Sequence, residues 1–207
     1  MQPPSADALS THDIRAFADV LRLPGGRSLT VRFVEPADVA PLMDYLHTLS
    51  VRSRYNRFLG ARRGLPEAEV AAILQTGVAN RFAAIGEMRI AGVDRIVCEA
   101  RYAFDPIGGT CEFGLSVHDD WQGQGIGTAL LSNLECRAAA MGATGLFGDT
   151  LRSNDEMLGL GRKSGFVLSR SPEGWTFVRL HKRIAADRPG PCRQWPIAAG
   201  ELAAAAD

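Results

Sequence analysis

The stretch DDWQGQGIGTALLSNLECRAAAMG, residues 119–142, places three glycines, Gly123, Gly125 and Gly127, within five positions directly ahead of a helical pattern. Glycine costs a helix roughly 0.5–1 kcal/mol relative to alanine, so this cluster implies that something approaches the backbone closely. Backbone N–H groups at a helix N-terminus lack intrahelical partners and lie at the positive end of the helix dipole, which makes them an anion site. Without Cβ atoms the turn can aim several of them at one phosphate or pyrophosphate. The loop has no GK[ST] ending, as a nucleoside triphosphatase requires, and its GxGxG spacing is not the GxGxxG of dinucleotide folds.

Around this loop the chain reads as a single domain between two tails. Residues 1–27 form an N-terminal extension with a short helix expected from Ser10 to Leu21, closed by the punctuation LPGGRS. LTVRFVEP alternates as a first strand, and two helical patterns follow, over residues 37–49 and in LPEAEVAAILQTGV, with Pro66 at a helix start. RFAAIGEM, RIVCEARYAF and TCEFGLSV, separated by the turn signals AGVD and DPIGG, predict an antiparallel meander. The glycine-led helix ends near Gly142 and leads into the strand GLFGDTL; a short helix over Asp155–Lys163 and a hairpin, GFVLSR and WTFVRLHKRI, complete residues 28–184. Residues 185–207, rich in Pro, Gly and Ala, are expected to be a flexible tail. The expected class is α/β of the α+β type, a mixed central sheet flanked by helices.

Charge excludes some partners. With 23 basic and 23 acidic residues in 207, no global field favours nucleic acid or an anionic membrane. No leader pattern or apolar span stands out, so a cytoplasmic location is expected. Cys98, Cys111, Cys136 and Cys192 have no CxxC spacing and read as buried free thiols, and no His, Asp and Cys cluster suggests a metal.

LSVHDDWQGQGIGTALL followed by TLRSNDEMLGLGRKSGF resembles the acetyl-CoA motif of the GCN5-related N-acetyltransferases (GNAT), Q/R-x-x-G-x-G/A, which Gln122, Gly125 and Gly127 fill. With SVRSRYNRFLG and CEFGLSV, the chain is most similar to the domains of bacterial protein lysine acetyltransferases. The resemblance spans about residues 29–184 and implies the GNAT acyl-CoA N-acyltransferase fold with acetyl-CoA as co-substrate. It implies that the pyrophosphate meets backbone N–H groups of Gln122, Gly123, Gln124, Gly125, Ile126, Gly127 and Thr128. It also implies that the pantetheine arm pairs with the backbone of Leu115, Ser116 and Val117, and that Asn154 touches the arm; a helix N-cap is the alternative for Asn154.

Strand alternation puts Thr110, Glu112, Gly114 and Ser116 on one face, small and polar around one carboxylate, as the floor of a cleft can be. Acetyl transfer to an amine needs a neutral nitrogen, and a lysine of pKa about 10.4 is neutral in only about one molecule in 2,500 at pH 7. A base must take the proton. Resembling lysine acetyltransferases place a glutamate at the position of Glu112 for this task; Glu99 on the preceding strand is the reserve candidate. The family's usual acid, a tyrosine, would stand at Gly161. Arg52, Arg54, Tyr55 and Arg57 read as a solvated helix end; the resemblance implies that they lie near where acceptors enter. The expected function is direct transfer of acetyl to a primary amine, of protein lysine or of a small molecule. A non-catalytic acyl-CoA sensor is the alternative, favoured by Gly161. A homodimer is compatible with the family.

Overall fold

The computed structural model describes residues 18–61, 66–74 and 78–184; the first part of the helix expected over Ser10–Leu21 and the expected tail lie outside them. Among the described residues eight strands form one sheet: β1 (Ala18–Arg22), β2 (Ser28–Phe33), β3 (Arg81–Ile90), β4 (Val93–Asp105), β5 (Thr110–Val117), β6 (Gly145–Leu151), β7 (Val167–Arg170) and β8 (Phe177–Arg183). Their order is β1-β2-β3-β4-β5-β6-β8-β7. Every neighbouring pair is antiparallel except β5 and β6. A parallel pair needs a crossover, and the glycine-led helix α4 (Ile126–Ala140) supplies it.

Helices cover the sheet on both faces. Leu42, Tyr45, Leu46 and Leu49 of α1 (Val39–Thr48) and the loop after it, with Ile73 of α3 (Glu67–Leu74), pack on Val34, Ala83 and Ile85. The opposite face carries Ile126, Leu130, Leu131, Leu134 and Ala138 of α4 against Leu29, Val31, Phe33, Ala84 and Val97. Met157 and Leu160 of α5 (Asp155–Lys163) join the same cluster. Buried on both sides, the middle of β3 reads as an unbroken apolar run. Helix α2 (Val51–Phe58) buries no residue fully, yet it leans over β5.

Two expectations change. Ala18–Arg22 is a strand rather than the end of a helix, because the free edge of β2 offers five backbone pairings and α4 offers partners for Asp19. The Asp19 carboxylate accepts from Asn133 Nδ2 and Arg137 Nη2, each at 2.8 Å, so tertiary contacts override helical propensity. The sheet therefore begins inside the segment read as an extension. Cys98 and Cys111 are buried free thiols, but Cys136 is disulfide-bonded, and Cys192 lies outside the described residues. Among the described residues no helix is long and apolar enough to cross a membrane.

Candidate active site

Strands β5 and β6 pair only at Thr110↔Gly145, Cys111↔Leu146 and Glu112↔Phe147, and beyond that point no ladder joins them. The opening is the inner end of a cavity of about 1460 Å³. It is lined by β5 from Glu112 to Val117, by Gly148 and Thr150 of β6, by α2, and by the glycine loop.

The loop has the geometry its composition demands. Gly123 and Gly125 take φ of +72° and +86°, and Gly125 is the N-cap of α4. The first backbone bond of the helix runs from Ala129 N to Gly125 O at 3.0 Å, so the N–H groups of Gly125, Ile126, Gly127 and Thr128 precede the ladder. Nothing lies within 4 Å of a Cβ built on Gly123. A Cβ on Gly125 would meet Pro24 Cδ at 2.9 Å, and one on Gly127 would meet Leu160 Cδ2 at 3.2 Å. Packing inside the protein thus constrains Gly125 and Gly127, while Gly123 is open. Arg27 braces the loop, donating from Nη2 to Gln124 Oε1 at 2.5 Å and lying 5.5 Å from the Trp121 ring centre.

The other expected cofactor residues fall around the same cavity. Leu115, Ser116, Val117, Gln122, Gln124, Thr128 and Asn154 line it, whereas the Ile126 side chain is in the core, 1% exposed. Side chains here also hold the fold. Gln122 donates from Nε2 to Val117 O at 3.0 Å and Ser53 Oγ at 3.3 Å. Asn154 caps α5, accepting from Met157 N at 3.2 Å and donating to Thr150 Oγ1 at 3.0 Å. Asp119 anchors α2 by accepting from Ser50 N, Ser50 Oγ and Ser53 Oγ at 2.7–2.8 Å.

The two candidate carboxylates differ sharply. Glu112 is exposed at the vertex of the splay, where it borders both the main cavity and a smaller one of about 420 Å³. Its carboxylate has no hydrogen-bond or ion-pair partner among the described residues. Glu99, 2% exposed, is committed: Arg57 donates to it from Nε and from Nη2 (3.1 Å), Ser116 Oγ at 2.8 Å, and Arg101 Nε lies 3.4 Å away. Burial alone would raise the pKa of Glu99, but the charges of Arg57 and Arg101 and these hydrogen bonds outweigh it and hold the carboxyl below its usual range. Glu99 is a poor base.

Gly161 is buried against the sheet, and a Cβ there would fall 2.1 Å from Leu180 Cδ2. Any side chain there would have to displace Leu180. Of the two readings of Arg57, a solvated helix end and an acceptor entrance, the first fails: its side chain is 11% exposed and lies over Gly114, and its pairing with Glu99 was not foreseen. The available signal was the pair Glu99 and Arg101, two charges on one face of the apolar strand RIVCEARYAF, which calls for buried partners.

The acetyltransferase (GNAT) domain profile matches residues 79–168, from the start of the meander to β7. An acetyltransferase of Pseudomonas aeruginosa is 27% identical over 160 residues, covering 77% of this chain and 86% of its own length. Residues 79–168 therefore carry a GNAT acetyltransferase domain. Among solved structures, the GNAT domain of S. lividans PAT superimposes with a TM-score of 0.72 at 22% identity, covering 80% of this chain and 96% of that one. The spermidine N-acetyltransferase from Vibrio cholerae, solved with CoA and spermine, superimposes with a TM-score of 0.63 at 14% identity, covering 75% and 95%. This chain thus shares the GNAT fold of both.

Proposed function

We propose that this GNAT protein moves acetyl from acetyl-CoA to a primary amine by direct attack, with Glu112 as general base. One observation carries the reading. β5 has an unpartnered carboxylate at its inner end and unladdered N–H groups just beyond its outer end, on one cavity. The N–H groups of residues 122–128 suit a pyrophosphate. The edge of β5 from Phe113 to Val117, unpaired toward β6, suits an added strand-like arm at Leu115, Ser116 and Val117. That arrangement brings the thioester toward the splay, beside Glu112. Holding the two reactants together supplies much of the rate, and Glu112 accepts the amine proton.

Protein lysine and small-molecule amines offer the same nitrogen, and the acceptor belongs to either class. A cytoplasmic enzyme is consistent with this co-substrate. The reading is tested by a panel of lysine peptides, polyamines and amino sugars, assayed for free thiol with acetyl-CoA. Acceptor-dependent thiol release is expected. Tight coenzyme A binding without release for any acceptor would favour the second reading, an acyl-CoA sensor, to which Gly161 in the tyrosine position lends its support.

A further inference from the structure

The Arg57 guanidinium lies over the floor of the cleft. A Cβ on Gly114 would stand 3.1 Å from its Nη1, 3.6 Å from Cζ and 3.9 Å from Nη2. Gly114 is two residues past the last β5–β6 pair, inside the splay. Nε and Nη2 of Arg57 are bound by Glu99, which Ser116 Oγ steadies at 2.8 Å and Tyr45 OH supports through Ser116 at 3.0 Å. Nη1 has no acceptor among the described residues, although Arg57 lines the cavity.

The buried part of the cluster sets two cations against one carboxylate. Arg101, on the neighbouring strand opposite Gly114, shares Glu99 with Arg57 and otherwise has Glu69 of α3 3.7 Å from its Nη1. Its Nε and Nη2 are buried without hydrogen-bond acceptors. Around Glu99 two cations thus share one buried carboxylate, with Glu69 at the rim. Glu99 outweighs the cost of burial for Arg57 and keeps it protonated. A desolvated cation with a free N–H, fixed in orientation, is the device that stabilises charge as it develops.

We infer that Arg57 stabilises the departing thiolate of coenzyme A, taking over electrostatically from the tyrosine whose position Gly161 occupies. This rests on the acetyl-transfer reading above. The amine lone pair forms the C–N bond at the thioester carbonyl carbon, the amine proton passes to Glu112, and the C–S bond breaks with its electron pair on sulfur. Arg57 meets that charge through Nη1 and gives up no proton. The thiolate is protonated from water after it leaves.

The test needs no acceptor. Coenzyme A binding to the wild-type protein is measured by calorimetry. The pKa of the bound thiol is then read from the pH dependence of its alkylation by iodoacetamide, followed by the mass of the alkylated coenzyme. An opposite charge within about 4–6 Å lowers a pKa by about 1–3 units, so the bound thiol should titrate at least about one unit below free coenzyme A. Arg57→Gln alone would strand Glu99, so it is paired with Glu99→Gln. In that double variant the thiol should return to its free value, and Arg57→Lys should retain part of the shift. A thiol that titrates at its free value when bound to the wild type would overturn the inference while leaving acetyl transfer intact. So would a depression that survives in the double variant. No coenzyme A binding at all would overturn both readings. Should the double variant not fold, the wild-type titration decides alone.

Discussion

A Cβ at Gly148 would fall 2.7 Å from the carbonyl oxygen of Phe113, so the vertex between β5 and β6 closes only on glycine. The cleft exists because the strands meet this closely at one end and part at the other. Gly148→Ala should push the vertex open, at an overpacking cost of about 1–3 kcal/mol. For a domain of this size that corresponds to a fall in Tm of roughly 2–12 °C. An unchanged melting curve would contradict the argument.

The docking of β1 makes a second prediction. Arg137 is 1% exposed, and Asp19 accepts from it at 2.8 Å. Asp19→Ala removes a carboxylate from a buried guanidinium and should cost about 3–5 kcal/mol. The exposed pair Arg89 and Asp94, at 2.9 Å, provides the control: Asp94→Ala should cost less than about 1 kcal/mol. Chemical denaturation of the two variants checks the difference, and equal losses would refute it.

The glycine loop separates strain from ligand contact. Gly125→Ala meets both a positive φ and Pro24, so it should lower stability as well as coenzyme A affinity. At Gly123 the space is open, and asparagine tolerates the left-handed conformation better than other side chains do. Gly123→Asn should therefore leave Tm within a few degrees while raising the Kd for coenzyme A about tenfold, or about 1.4 kcal/mol. Calorimetry and thermal melts on both variants decide. Unchanged affinity in Gly123→Asn would show that the ligand passes elsewhere.

Much of this architecture was legible. The alternation in LTVRFVEP and TCEFGLSV marked strands, turn signals bounded RFAAIGEM, and the glycine run located both the helix N-terminus and the loop. Alternation also placed Glu112 and Ser116 on one face of β5, and both line the cavity. What stayed hidden depends on long-range contact. β1 owes its state to β2 and to Arg137 on α4, over 100 residues away. The burial of Arg57 depends on Glu99, 42 positions on, and nothing within the helix reveals it. Pro24 and Arg27 support the glycine loop from a segment that reads as mere punctuation.

Acid should unfold this protein through a few named carboxylates. At Glu99 burial is outweighed by Arg57 and Arg101; at Asp38 it is outweighed by Arg32, 2.6 Å away, and the backbone of Glu35; at Asp119 by donors from Ser50 and Ser53. Each carboxyl is held below its usual value. Their contribution is therefore complete above the unfolded values, about 3.9–4.3, and is lost as pH falls through the depressed folded ones. Tm should be nearly level from about pH 7 to 5 and fall steeply below about pH 4. Glu99→Gln should be less stable at neutral pH and should lose less on acidification. Parallel slopes for the two proteins would remove Glu99 from the explanation.

The central claim is that Glu112, without a hydrogen-bond or ion-pair partner among the described residues at the vertex of the splay, takes the proton of the amine. Glu112→Gln preserves shape and removes the base. With an acceptor found by the panel, kcat and coenzyme A affinity are measured for both proteins from about pH 6 to 10, bracketing amine deprotonation. The account predicts nearly equal affinity and a fall in kcat of about 10²–10⁴ at neutral pH, shrinking toward high pH as the amine deprotonates unaided. Wild-type turnover in Glu112→Gln at pH 7, with chemistry rate-limiting, would contradict it.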